Sequence, residues 1–400
     1  MSEYNKARTI VRWKEVNVIH EGHRIYKSPT YFEKTALPTP LEEVPRKPTN
    51  FGIYEDDTVT AGEANWYRVG VYADGEELVS DALSVSGSTS KPLLFILGAN
   101  YEEYMIIYDE NFNRILRQGY GDYRDDNNID AVAVDSNRNS YAAQRDYRGF
   151  YKYDEIGNNL WNGSTSSRVY AINIHPNGDV YSGDSGGRIG KFSSDGNRLW
   201  YINIHSGPIY GLAVDAAGYV YTGGRDNTVR KTSPTGNRVW TFDSAGNQNV
   251  NGHSDNVNDV AVDYYGNVYS VSTDNTVRKI DSAGNHVWTF TGHTGTVNSI
   301  CIGPDDNIIT TSSDNTLKKI NPNGTVVWST NAGEAFYSGT VDADGYIYTG
   351  MNNSVRKFDS TGTEIVNDTF PNTNYNSNPR GLEHFDVFPG RCTVSQKIPF

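Results

Sequence analysis

The feature that most constrains this chain is a repeat with a period near 40 residues. Val257-Asn-Asp-Val-Ala-Val-Asp263 shares its pattern with Asp130-Ala-Val-Ala-Val-Asp135, Ile209-Tyr-Gly-Leu-Ala-Val-Asp215 and Phe336-Tyr-Ser-Gly-Thr-Val-Asp342. A small turn follows each, then an apolar–Tyr pair: Val180-Tyr181, Val220-Tyr221, Val268-Tyr269, Ile347-Tyr348. Asp-Asn-Thr turns at 226–228, 274–276 and 314–316 lead into basic segments such as Val277-Arg-Lys279 and Leu317-Lys-Lys319. A Gly-Asn or Asn-Gly turn then precedes Trp161, Trp200, Trp240, Trp288 and Trp328, spaced 39, 40, 48 and 40 residues apart. Four short alternating segments per period describe a propeller blade, and no stretch keeps a helical period over about ten residues. One blade cannot bury its two faces, so blades must stack around an axis. The abundance of Gly (39) and Tyr (28) fits many short strands joined by tight turns.

Innermost strands end at Asp135, His175, Asp215, Asp263, Gly303, Asp342 and Asp386, which predicts a seven-bladed β-propeller over residues 93–400. Little chain remains after Asp386. Residues 93–117 align with the last three strands of a repeat, so the seventh blade is expected to be composite. Pairing the N- and C-terminal strands of the domain in this way leaves no long sheet edge. Either residues 94–98 or Arg391–Ser395 could serve as its second strand.

Residues 1–88 break the period and form a separate all-β domain, with 89–92 as linker. Strands are expected at Thr9–Trp13, His23–Lys27, Trp66–Tyr72 and Leu78–Val85, around a Pro-rich connection from Leu37 to Pro48. A Trp strand, a Tyr strand and Tyr-x-Val-x-Val near the end resemble a fibronectin type III-like β-sandwich. Asp57-Thr-Val-Thr-Ala-Gly resembles the form found in phage structural proteins. Within the propeller, Gly252-His253…Thr273-Asp-Asn-Thr and Gly292-His293…Ser313-Asp-Asn-Thr resemble WD repeats. The terminal Trp-Asp of that family is Ile280-Asp281 or Ile320-Asn321 here, so its His–Ser–Asp–Trp network should be incomplete. The Gly-Asn-x-x-Trp strand is similar to bacterial quinoprotein repeats, but a vicinal cysteine pair is lacking and no cofactor is expected.

The acidic and histidine residues carry no catalytic or metal-binding signature. Ser193–Trp200 has the wrong spacing for an Asp-box, and Asp342-Ala-Asp-Gly345 reads as a turn rather than a calcium loop. Asp122, Asp125, Asp126 and Asp130 read as a solvated loop, and the eight histidines show no HExxH spacing. Lys152, Lys191, Lys231, Lys279, Lys319 and Lys357 recur at one position; stems packed between blades with ammonium groups paired to Asp are expected. Cys301 and Cys392 read as buried thiols. No catalytic, cofactor-binding or metal residues are assigned, and the chain is expected not to be an enzyme; a propeller lyase or glycoside hydrolase is the unfavoured alternative.

A net charge of −13 opposes nucleic acid as a partner. No apolar run approaches the roughly 18 residues of a spanning helix, so membrane insertion is not expected. The N-terminus lacks the apolar region of a signal peptide, implying synthesis in a host cytoplasm. The connections 117–129, 243–256 and 367–380 are the longest between blades. They hold Tyr120, Tyr123, Asn247, Asn249, Asn251, Tyr375 and Asn376 as candidate partner or glycan contacts. Together these readings imply a virion component of a phage, tail or capsid, whose sandwich docks and whose propeller contacts other virion proteins. Binding of a host surface receptor or glycan is the alternative.

Overall fold

A computed structural model of the chain describes residues 129–369 through their side chains, apart from 136–138, 145–146, 155–157, 244–251, 343 and 352–353. Elsewhere it describes little beyond the backbone of strands. The chain divides into two compact units, Met1–Lys91 with Ser395–Phe400, and Pro92–Val394.

In the second unit, six four-stranded antiparallel sheets follow one another along the chain, spanning 129–164, 169–203, 209–242, 257–290, 297–331 and 336–369. These are numbered blades 1 to 6. Each is a simple meander; blade 4, for example, runs Val257–Val262, Val268–Ser272, Val277–Ile280 and His286–Phe290. The second strand is buried along its whole length in blades 2 to 6. It lies between two strands of its own sheet, and in blades 2 to 5 it is covered by the blades on either side, so it needs no polar face. Outer strands keep alternate residues in solvent, as in blades 5 and 6.

The apolar–Tyr pairs now have a physical account. Tyr141, Tyr221, Tyr269 and Tyr348 are buried, and each donates its hydroxyl to the Asp that ends the preceding strand: Asp135 (3.0 Å), Asp215 (2.9 Å), Asp263 (3.2 Å) and Asp342 (2.9 Å). A buried phenol without such an acceptor would be costly. Blade 5 lacks both members together, with Gly303 and Ile309 in these places. Asp342 also accepts from the backbone N–H groups of Asp344 and Tyr346, so the calcium-like stretch is a turn.

Tryptophans lock blades together. Trp161, Trp200, Trp240, Trp288 and Trp328 donate Nε1–H to the carbonyls of Ser194, Pro234, Ser282, Pro322 and Ser360 in the next blade, at 3.0–3.2 Å. Each ring lies on the glycine of that turn. At Gly196 the backbone has φ 84°, and an added Cβ would come 2.8 Å from the Trp161 ring. The Gly-Asn turn is therefore demanded by its own conformation and by the neighbouring indole.

The lysine ring belongs to this scaffold. Lys152, Lys191 and Lys319 pair with Asp135 (3.4 Å), Asp179 (3.0 Å) and Asp305 (2.6 Å). Lys231, Lys279 and Lys357 lie 5.1–5.3 Å over the rings of Tyr221, Tyr269 and Tyr348. Cys301 is buried; Cys392 lies outside the described residues.

One sequence expectation is corrected. The seven-bladed count becomes six, because six units are defined as blades with packed cores between neighbours. The segments expected to supply a seventh form a four-stranded sheet by backbone pairing, in the order Arg114–Gly119, Tyr104–Tyr108, Leu94–Leu97 and Phe385–Val387. Phe385 lies opposite Ile96, so residues 94–97 rather than 391–395 hold the second position of that sheet. Pairing alone does not make a blade, which requires side chains sealed on both faces. Residues 1–88 were expected to form a fibronectin type III-like sandwich. They hold a two-stranded pair, Thr9–Lys14 with Phe51–Asp56, and a five-stranded sheet containing Gly22–Ser28, Glu42–Pro45, Ala64–Ala73, Glu76–Val79 and Leu83–Ser86. Strand pairing of this kind does not establish a fibronectin type III-like sandwich, whose definition is two inner faces packed on one another.

Candidate interaction face

Strand direction alternates in a four-stranded meander. The turn between second and third strands therefore emerges on the same face as the connection from one blade to the next. We call this the connection face. Three histidines anchor it. His205 donates Nδ1–H to Asp226 at 2.7 Å, and its Nε2 accepts the Thr222 hydroxyl at 2.9 Å. His253 bridges Asp274 (3.0 Å) and Ser270 (2.9 Å), and His293 bridges Asp314 (3.0 Å) and Thr310 (2.9 Å). Each Asp also accepts the backbone N–H that follows its histidine, from Ser206, Ser254 or Thr294. The Thr of each Asp-Asn-Thr turn donates its hydroxyl to the same carboxylate.

Burial lowers the pKa of all three imidazoles and outweighs the aspartate beside each, so they sit neutral. Burial opposes ionisation of Asp226, Asp274 and Asp314, yet the hydrogen bonds they accept hold them below the usual carboxylate range. These are struts tying a connection to a turn. The Trp position of a WD repeat is filled by Ile280 and Ile320, both in the core, while Asn321, in the Asp position, accepts from the backbone N–H groups of Asn323 and Thr325.

The innermost strands carry a second recurring device. Every one shifts register at its second residue, leaving Asp130, Tyr170, Tyr210, Asn258, Asn298 and Tyr337 bulged at the connection face. Asn258 and Asn298 donate to the carbonyls of Val297 and Phe336 in the following blade (3.0 and 2.6 Å). Asp130, expected in a solvated loop, is buried and receives a two-pronged hydrogen bond from Arg168. The Arg168 guanidinium lies 4.6 Å over Tyr170, whose ring centroid is 5.6 Å from that of Tyr210.

Sequence reading missed His205 because Ile204 replaces the expected Gly. The spacing held the signal: each histidine stands 21 residues before its Asp. It also missed the bulged positions, which look like ordinary strand residues until register is known. Tyr120, Tyr123, Asn247, Asn249, Asn251, Tyr375 and Asn376 lie outside the described residues. Among the described residues, no group of three His, Cys, Asp or Glu is placed to hold a metal ion.

A family described as the outer membrane protein assembly factor BamB, a PQQ-type repeat, matches residues 129–317, somewhat less than half of the chain. Among solved structures, the WD40 β-propeller domain of Doa1 superposes with a TM-score of 0.57 at 16% identity, covering 66% of this chain and 86% of that one. A chain of the mitotic checkpoint complex gives 0.54 at 17% identity, covering 61% and 78%. No curated protein matches. These likenesses show the fold alone, a β-propeller.

Proposed function

We propose that this protein is a non-enzymatic interaction propeller of a phage particle, docked through residues 1–91 and presenting its connection face to another virion protein. The observation that carries the reading is a division of labour on that face. Histidines and aspartates are consumed in buried struts, while Tyr170, Tyr210, Arg188 and Arg225 stay partly or fully exposed on a rigid frame. Rigid frames bearing Tyr and Arg suit protein contact. The likeness to a propeller in the mitotic checkpoint complex, an assembly, supports the interaction role. The phage setting rests on the resemblance of Asp57-Thr-Val-Thr-Ala-Gly to phage structural proteins.

The test is biochemical. The protein should be detected in purified particles, and a photo-cross-linking residue at Arg225 should join it to another virion protein. Its absence from particles overturns the phage setting. Its presence without cross-links overturns the assignment of the face.

A further inference from the structure

At the connection face of blades 2 and 3, Arg168, Arg188 and Arg225 are partly or fully exposed. Arg225 opens the turn of blade 3, is exposed, and forms no ion pair among the described residues. Its stem runs beside Gly207, where an added Cβ would stand 3.4 Å from the arginine's own Cβ. Arg188 reaches the Ser167 hydroxyl at 3.5 Å, next to Arg168, whose side chain remains 26% exposed. Tyr210 packs beside Tyr170, with ring centroids 5.6 Å apart, and the Arg225 backbone N–H donates to the Pro208 carbonyl at 2.9 Å, two residues before Tyr210. Burial raises its pKa, while Arg225 and Arg168 act on it in the opposite sense, so all three groups share one neighbourhood. The phenol stays protonated and available as a donor.

We infer that this cluster binds a carboxylate-rich segment of a protein partner, a short run of Asp or Glu, with Arg225 making the first contact. The inference rests on the reading of the connection face as a protein-interaction surface. Guanidinium N–H groups match a carboxylate geometrically and in charge. Stacking on a sugar is disfavoured, because one face of Tyr170 is already covered by Arg168. A long polyanion is disfavoured by the net charge of −13, whereas a short acidic segment need meet only the guanidinium groups of this cluster. Such a field selects orientation as well as partner.

The full-length protein should be titrated against fluorescein-labelled hexaglutamate and hexaglutamine peptides by fluorescence anisotropy. Hexaglutamate should bind more tightly by about tenfold, and less so as salt is raised. Arg225→Glu should weaken hexaglutamate binding about tenfold without changing the melting temperature, and Arg225→Lys should retain part of it. Equal affinity for both peptides, or wild-type affinity in Arg225→Glu, overturns the inference. Cross-linking from position 225 to a virion protein alongside either result would leave the face standing and reject only the acidic partner. No cross-link would reject the face itself.

Discussion

Gly211 shows how one atom can govern the approach of two blades. An added Cβ would lie 2.5 Å from Cα of Asp259 and 2.7 Å from the nitrogen of Val260, both backbone atoms of the next innermost strand. Neither can rotate away. Gly211→Ala should therefore cost about 1–3 kcal/mol by overpacking, read as a lower urea midpoint; an unchanged midpoint would show that the inner strands can separate freely. Asp274 makes the complementary case. Removing its carboxylate strands the His253 ring and the Ser254 N–H, so Asp274→Ala should destabilise by about 1–3 kcal/mol or more. Asp281 differs, since it caps an exposed turn through Asn285, and its replacement should change stability much less.

At the scale of the element, strut and staple respond to different variables. The three strut imidazoles have folded pKa values below their unfolded one. Between those values the unfolded chain binds more protons, so stability rises with pH there. It should be complete above about pH 6.5 and fall as pH drops from that point toward the folded values. A second loss should follow below about pH 4, as Asp226, Asp274 and Asp314 protonate. Urea midpoints measured from pH 8 to pH 3 check both steps; replacing His205, His253 and His293 together by Gln should flatten the first. The tryptophan staple is insensitive to pH in this range. Trp288→Phe removes the bond to Pro322 while keeping an aromatic ring on Gly324, and should cost about 1 kcal/mol at every pH.

For the whole molecule, charge and topology act over longer distances. With a net charge of −13, the protein should pass through heparin resin at physiological salt; retention there would mean that its arginines form a larger basic field than blades 2 and 3 show. The repeat, the order of strands in each blade, the turn glycines and the docking tryptophans were all legible in the chain, because each is imposed by neighbours close in sequence or one period away. The number of packed blades was not. Counting strand ends assigns a unit wherever a pattern recurs, but a blade exists only where side chains are sealed between two others. The connection face was half legible. Asp-Asn-Thr marked its turns, and a constant spacing to the histidines lay unread at His205. The cluster of Arg168, Tyr170, Tyr210 and Arg225 could not be read at all. Its members sit in two blades and a connection, and a one-residue bulge decides which way a strand residue points. Local rules of turn and strand set the architecture of this chain; register and blade stacking, which depend on contacts distant in sequence, decided what its surface offers to a partner.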